Sequence, residues 1–481
     1  MAEFDVESLF RSFDTDRTNV VWKWKLLAEL ERAGLRADDP RVEHALPWVL
    51  ENVGAGADAR IAPFERGQPE WLDRDQFQYL LREPVIRKAL TDDLAMPTDE
   101  FAEFTQGVEE IYADLLDERS GEVADYIPTL ATADPEQFGI AVCTADGQVF
   151  MIGDAENPFS VQSTSKPFSY AMALEEHGAD FVHQYVGQEQ SGGPFNDPLR
   201  SLDASGRPHN PMINAGAIGT LALVDADLDD SKRFEKLQHT WSTMAGARVR
   251  MDEPTFLGEQ ETGHNNRMFA SAMAGRDTLY KRSNRMYGPI EATDFYFRVC
   301  SLEVDARRLA AAGATLAGGG VAPYKGQRVF SQENTRRVLK VMEHSGMYND
   351  SGKFSGKVGL PAKSGVSGNV LMVVPSKRLA VVAFSPRLDP VGNSVRGVQV
   401  CERLVEKFDL HPLQDLGADK SRAAEAAHRV ALGGVATAGA PGERTTTDEN
   451  FYGSYEGGAA GRHRAAAPAT TNVTRAGGPQ L

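Results

Sequence analysis

Cysteine is scarce: Cys143, Cys300 and Cys401 are the only three in 481 residues. They are odd in number and far apart, which excludes a disulfide framework and the paired spacing of a zinc site. The chain therefore reads as belonging to a reducing compartment, taken here as the cytoplasm. Long hydrophobic runs are missing, and none approaches the ~20 apolar residues of a membrane span. The N-terminal Met-Ala-Glu-Phe-Asp has neither a basic region nor an apolar core, so no secretory signal is expected. Positive charge is in deficit, 51 Lys and Arg against 68 Asp and Glu, for a formal charge of −17. That balance argues against nucleic acid and against an anionic membrane surface as partners. There is no repeat of fixed period, no His-Glu-x-x-His, no P-loop and no dinucleotide glycine fingerprint, so neither a metal nor a cofactor is expected.

What remains is an ordinary globular composition, 41% hydrophobic and 25% charged, and the chain divides into three parts. Residues 1–118 carry helical periodicity in Val6–Phe13, Val20–Ala33, Val42–Val53, Arg74–Leu81 and Phe101–Leu116, punctuated at Gly34, Pro40, Pro47, Gly67-Gln-Pro69 and Pro97. Asp14-Thr-Asp16 opens like a calcium loop, but Asn19 and Lys25 stand where glycine and glutamate are required. An EF-hand-like helical domain without a calcium site, with Asp14 as a helix cap, is the expectation. Residues 119–411 begin with strand signals, Gly139–Phe150 around an Asp146-Gly147 turn, and close with two more, Met372–Ser376 and Leu379–Phe384. A helix from about Ser394 to Phe408 follows. Strands at both ends of a mainly helical stretch predict an α+β domain, an antiparallel sheet covered by helices. Residues 412–481 are Ala-, Gly-, Thr- and Arg-rich with too little apolar surface for a core, and read as a mostly disordered tail. A short helix at 420–432 and an aromatic cluster, Phe451–Tyr455, interrupt it.

The chemistry concentrates on Ser163-Thr-Ser-Lys166, the only Ser-x-x-Lys in the chain. A helix opening at Ser163 and running through Pro167 to His177 places the lysine on the face of the serine. A serine hydroxyl needs a neighbouring base, and a buried lysine with a lowered pKa can be one. The helix N-terminus favours the free amine and a developing oxyanion. Far downstream, Lys363-Ser364-Gly365 precedes a strand. Ser-x-x-Lys followed by Lys-Ser-Gly is the logic of penicillin-recognising serine acyltransferases, in which an edge strand completes the oxyanion hole. The third motif of that group, Ser-Asp-Asn, is absent.

Five stretches together resemble the serine-dependent glutaminase family: Tyr126-Ile-Pro-Thr-Leu-Ala, Gln162-Ser-Thr-Ser-Lys166, His209-Asn-Pro-Met-Ile-Asn-Ala-Gly-Ala-Ile218, Ser345-Gly-Met-Tyr348 and Gly359-Leu-Pro-Ala-Lys-Ser-Gly-Val366. The likeness covers about residues 120–411. Lys25–Arg41 resembles the helical N-terminal domain of the longer, kidney-type glutaminases. Those animal enzymes end in ankyrin repeats, where this chain has only its low-complexity tail. The resemblance implies a β-lactamase-like catalytic domain that hydrolyses L-glutamine to L-glutamate and ammonia through a γ-glutamyl-serine ester. It implies Ser163 as nucleophile, Lys166 as its base, Tyr348 in proton transfer, and the N–H groups of Ser163 and Val366 as oxyanion hole. It further implies Asn214, Glu259, Asn266 and Tyr296 as substrate contacts, with Tyr126 on the α-carboxylate side. Asn265 stands where the family usually has arginine. A homo-oligomer, dimer or tetramer, is implied as well. The alternatives are a β-lactam- or peptide-directed serine hydrolase and a non-catalytic interaction protein.

Overall fold

A computed structural model describes residues 5–53, 70–191, 200–281 and 288–413. The Gly67-Gln-Pro69 break, the segment 420–432 and Phe451–Tyr455 lie outside them. Residues up to Pro412 form one compact unit.

The part of the chain after residue 118 is built on five main strands: β1 (Gly139–Thr144), β2 (Val149–Gly153), β3 (Ala362–Gly365), β4 (Asn369–Val374) and β5 (Leu379–Phe384). Every pairing is antiparallel, and the order is β2-β1-β5-β4-β3. This is the expected α+β arrangement, and the pleat shows why it holds. Ala141, Cys143, Leu371, Val373, Ala380 and Val382 face one core. The intervening Ile140, Val142, Val370, Met372, Leu379 and Val381 face the other. Both faces are covered, so the central strands are apolar at every position rather than alternating. The Ala-rich helix Ala306–Ala317 lies on the first face; Thr98–Asp114 and Val395–Lys407 lie on the second. β3 forms one edge, and its end lies against the turn that carries Ser163.

The N-terminal half departs from its expected helices in two places. Val21–Trp22 is extended and pairs antiparallel with Trp71–Leu72, so the helix begins only at Lys23. A helix at Pro84–Leu90 was not read from the periodicity, being only seven residues long. Asp14 is not a cap in front of a helix. It closes the C-terminal end of Val6–Phe13 and accepts from the backbone N–H of Thr18 and Asn19.

This lobe grips the β1–β2 hairpin. Asp146 receives Lys88 Nζ (2.9 Å) and Ala95 N (2.6 Å), and its carbonyl accepts from Arg41 Nη1 (2.7 Å). Gln148, fully buried, donates from Nε2 to the carbonyls of Ala33 (3.0 Å) and Met96 (2.9 Å) and accepts from Met96 N (3.2 Å) and Thr144 Oγ1 (3.1 Å). Gly34, at φ +83°, lets the backbone pass: a Cβ there would sit 2.6 Å from the Phe101 ring and 2.9 Å from Gln148 Cβ. Gln148→Leu keeps the volume but strands three main-chain groups in a dry junction. It is expected to cost about 2–4 kcal/mol, read as an earlier urea midpoint. A wild-type midpoint would show that the junction holds without the amide.

Candidate active site

Ser163 sits in a 3₁₀ turn, Gln162–Ser165, that runs straight into the helix Lys166–His177. The α-helix thus opens at Lys166, not at Ser163. The turn is entered from the short strand Phe159–Ser160 through Gln162, whose φ of +47° is unusual for a buried side chain. That left-handed step lifts the serine out of the strand direction and turns its hydroxyl toward the domain interior.

The nine residues singled out from the sequence fall into a few local groups of buried or half-buried side chains. Burial pushes the Tyr348 phenol to a higher pKa, and the neighbouring Ser163 hydroxyl acts the other way. Lys166 Nζ donates to Asn214 Oδ1 at 2.5 Å. Tyr296 Oη reaches the same oxygen at 3.4 Å, and Asn214 Nδ2 donates to Asn266 Oδ1 at 3.1 Å. Tyr126 Oη donates to Glu259 Oε1 at 2.7 Å. Val366 directly follows β3 and packs in one apolar cluster with Tyr348, Ile127 and Ile213, with Tyr126 against it. The tyrosine closest to the serine is therefore Tyr348, while the lysine is held by Asn214. Asn214 thus accepts from the amine through its oxygen and donates to Asn266 through its nitrogen.

The electrostatics are those of a dry site. Burial pushes the Lys166 amine down to about 8, against the opposing pull of Cys300 and Glu259. Burial raises Glu259, while hydrogen bonds from Tyr126 and Gln162 and the charge of Lys166 act the other way. Burial also pushes the Cys300 thiol up to about 12, next to Tyr296 and Glu259. A carboxylate exposed by only 4% is stable when a cation meets it.

Three contributors were not singled out from the sequence. Gln162 lay inside a quoted motif and turns out to contact Glu259. Lys363 lay inside another. Its amine is wholly buried, donates to Gly346 O (2.9 Å) and Ser364 O (2.7 Å), and lies 4.4 Å from the centre of the Tyr348 ring. Burial and the charge of Lys166 push it well below an ordinary lysine. Cys300 stands four residues after Tyr296, and only packing puts it beside the lysine. Among the described residues no group of three or more His, Cys, Asp or Glu is placed to hold a metal, and no helix is long and apolar enough to cross a membrane.

Comparison with known proteins matches residues 121–412 to the family model Glutaminase and residues 6–97 to an EF-hand domain model. Putative glutaminase 3 of Caenorhabditis elegans is 37% identical over 85% of this chain and 68% of its own length. The mitochondrial liver isoform of glutaminase from Mus musculus is 36% identical over 82% of this chain and 62% of its own. Among solved structures, the probable glutaminase ybaS superposes with a TM-score of 0.62 at 35% identity, covering 65% of this chain and 99% of that one. The mouse relative's mitochondrial name corrects the purely cytoplasmic location read from the cysteines. Three buried free thiols suit any reducing compartment, so cysteine content does not separate one from another.

Proposed function

Because this chain belongs to the glutaminase family of amide hydrolases, we propose that it turns over L-glutamine through an ester on Ser163. Hydrolysis of L-glutamine to L-glutamate and ammonia follows from the family; the assignment of steps to residues is our reading. Glu259 meets the α-ammonium end, and Tyr126, Asn214 and Asn266 meet the α-carboxylate. The side-chain amide then reaches Ser163 with its carbonyl oxygen toward the N–H groups of Ser163 and Val366. Ser163 Oγ attacks the amide carbon, and its proton passes through Tyr348 and Lys166 to the leaving nitrogen, so ammonia departs and a γ-glutamyl ester remains. Water then attacks the ester, a proton from that water passes to Ser163 Oγ, and glutamate leaves. The observation that carries this reading is a buried hydroxyl, Ser163, that bears on the pKa of the buried Tyr348 phenol, one turn before an amine, Lys166, that burial holds near 8.

To the same proposal belong the division into 1–118, 119–411 and 412–481, supported by the two family-model matches, and a homo-oligomeric state, dimer or tetramer, supported by family resemblance.

The lowered lysine fixes the sign of the pH dependence. The free amine is the working form, and its fraction grows as pH rises through about 8. Ammonia release from L-glutamine, followed from about pH 6 to about 9, is expected to give a kcat/KM that climbs about tenfold per unit at first and levels off above the midpoint. A profile that is flat or falling across that interval would remove Lys166 from the proton path.

A further inference from the structure

Two segments must be in register for the oxyanion hole to exist: the turn after Ser160, which supplies Ser163, and the β3–β4 turn, which supplies Val366. They come from opposite ends of the part of the chain after residue 118. Main-chain pairing does not join them, because Phe159–Ser160 pairs with Leu302–Val304 while β3 pairs with β4.

Two side chains bridge them, Ser367 the more closely. Ser367 Oγ, on a residue only 6% exposed, donates to the Ser160 carbonyl at 2.7 Å. Asn369, fully buried, donates from Nδ2 to Ser367 Oγ at 2.7 Å and reaches the same carbonyl at 3.4 Å. Between the two turns there is no slack. A Cβ on Gly365 would lie 2.5 Å from Asn369 Oδ1 and 3.1 Å from Val161 O. The Gly368 N–H closes the turn onto Gly365 O at 3.0 Å, so Val366 and Ser367 ride on its rim.

We infer that Ser367 is a positioning residue for the hydrolysis: its hydroxyl, oriented by Asn369, sets the distance between the two N–H groups that meet the oxyanion. Ser367 does not touch the reacting atoms. It is the next residue after Val366, and its acceptor lies three residues before Ser163, so a shift at this one hydrogen bond moves both donors relative to each other. Donors aimed at a developing charge matter most in the transition state, so their misplacement is felt in kcat before KM. The inference rests on the acyl-enzyme reading above.

The test uses the full chain with Ser367→Ala, Ser367→Cys and Ser367→Thr, alongside Ser163→Ala. The cysteine variant fills the space but donates poorly. Ala and Cys at 367 are expected to lower kcat about ten- to a hundredfold with KM and glutamate affinity within about threefold, and Thr to restore at least half of the loss on a logarithmic scale. If Ser163→Ala is inactive while Ser367→Ala and Ser367→Cys turn over at the wild-type kcat, the inference fails and the nucleophile assignment stands. If Ser163→Ala itself keeps turning over, the nucleophile assignment fails first. A rise in KM at constant kcat, or a loss of folded protein in all three variants that Thr does not relieve, would make Ser367 a packing residue and overturn the inference.

Discussion

Alanine in place of Ser163 is expected to lower kcat for ammonia release by about a thousandfold or more, with glutamate affinity little changed. The size follows from what is removed. The hydroxyl carries the acyl group in the proposed ester, and it lies in a buried turn beside the buried Tyr348 phenol. What stays behind, Glu259, Asn266 and the N–H groups, binds substrate and can still polarise the amide, so a small residual rate survives. The substitution deletes one oxygen at a helix entrance and leaves the apolar packing alone, so unfolding should be unchanged. Rapid quenching of wild-type enzyme with L-glutamine should further show protein heavier by one glutamyl group at Ser163. Ser163→Ala protein that retains a tenth of wild-type turnover, or wild-type protein that is never acylated there, would sink the mechanism.

How far the sequence leads to this site depends on the kind of signal each part leaves. The hairpin at Asp146-Gly147 and the apolar runs of β4 and β5 were legible because turn chemistry and strand composition are local. The helix entered at Ser163 was legible to within one turn, since Pro167 and Gly178 bound it on both sides. The two-residue strands at Val21 and Trp71 were not, because so short a pairing is decided by a partner fifty residues away. Tyr348 has a plain surface reading as a sequence; only the fold shows it buried and at a φ of +52°. No spacing rule links Cys300 to Lys166. The compartment was misread from the same thiols, for want of any term that tells one reducing space from another.

The second large effect is expected from Lys363, a residue that does not reach Ser163 in the hydrogen-bond network. Its amine holds two carbonyls, Gly346 O and Ser364 O, and lies against the ring of Tyr348. Gly346 O also accepts from Ser364 N at 3.2 Å, so the loop before Tyr348 is fastened to β3 twice through one oxygen. Loosening it frees a tyrosine that stands in a left-handed backbone conformation, which costs energy to maintain for any residue but glycine. Lys363→Met keeps the length and removes the donors. A displacement of the phenol by about 1 Å is enough to cost about a hundredfold in rate, so kcat should fall by about that factor in protein that remains folded. The pH profile separates clamp from charge. Burial drives Lys363 toward its neutral form. A neutral Lys363 exerts no field on Lys166, so the midpoint near 8 should stay where it is in Lys363→Met while the plateau drops. A midpoint that moves upward would mean that Lys363 carries a proton in the working enzyme and helps hold Lys166 in its free form. A plateau within threefold of wild type would mean that the turn at Tyr348 holds without it.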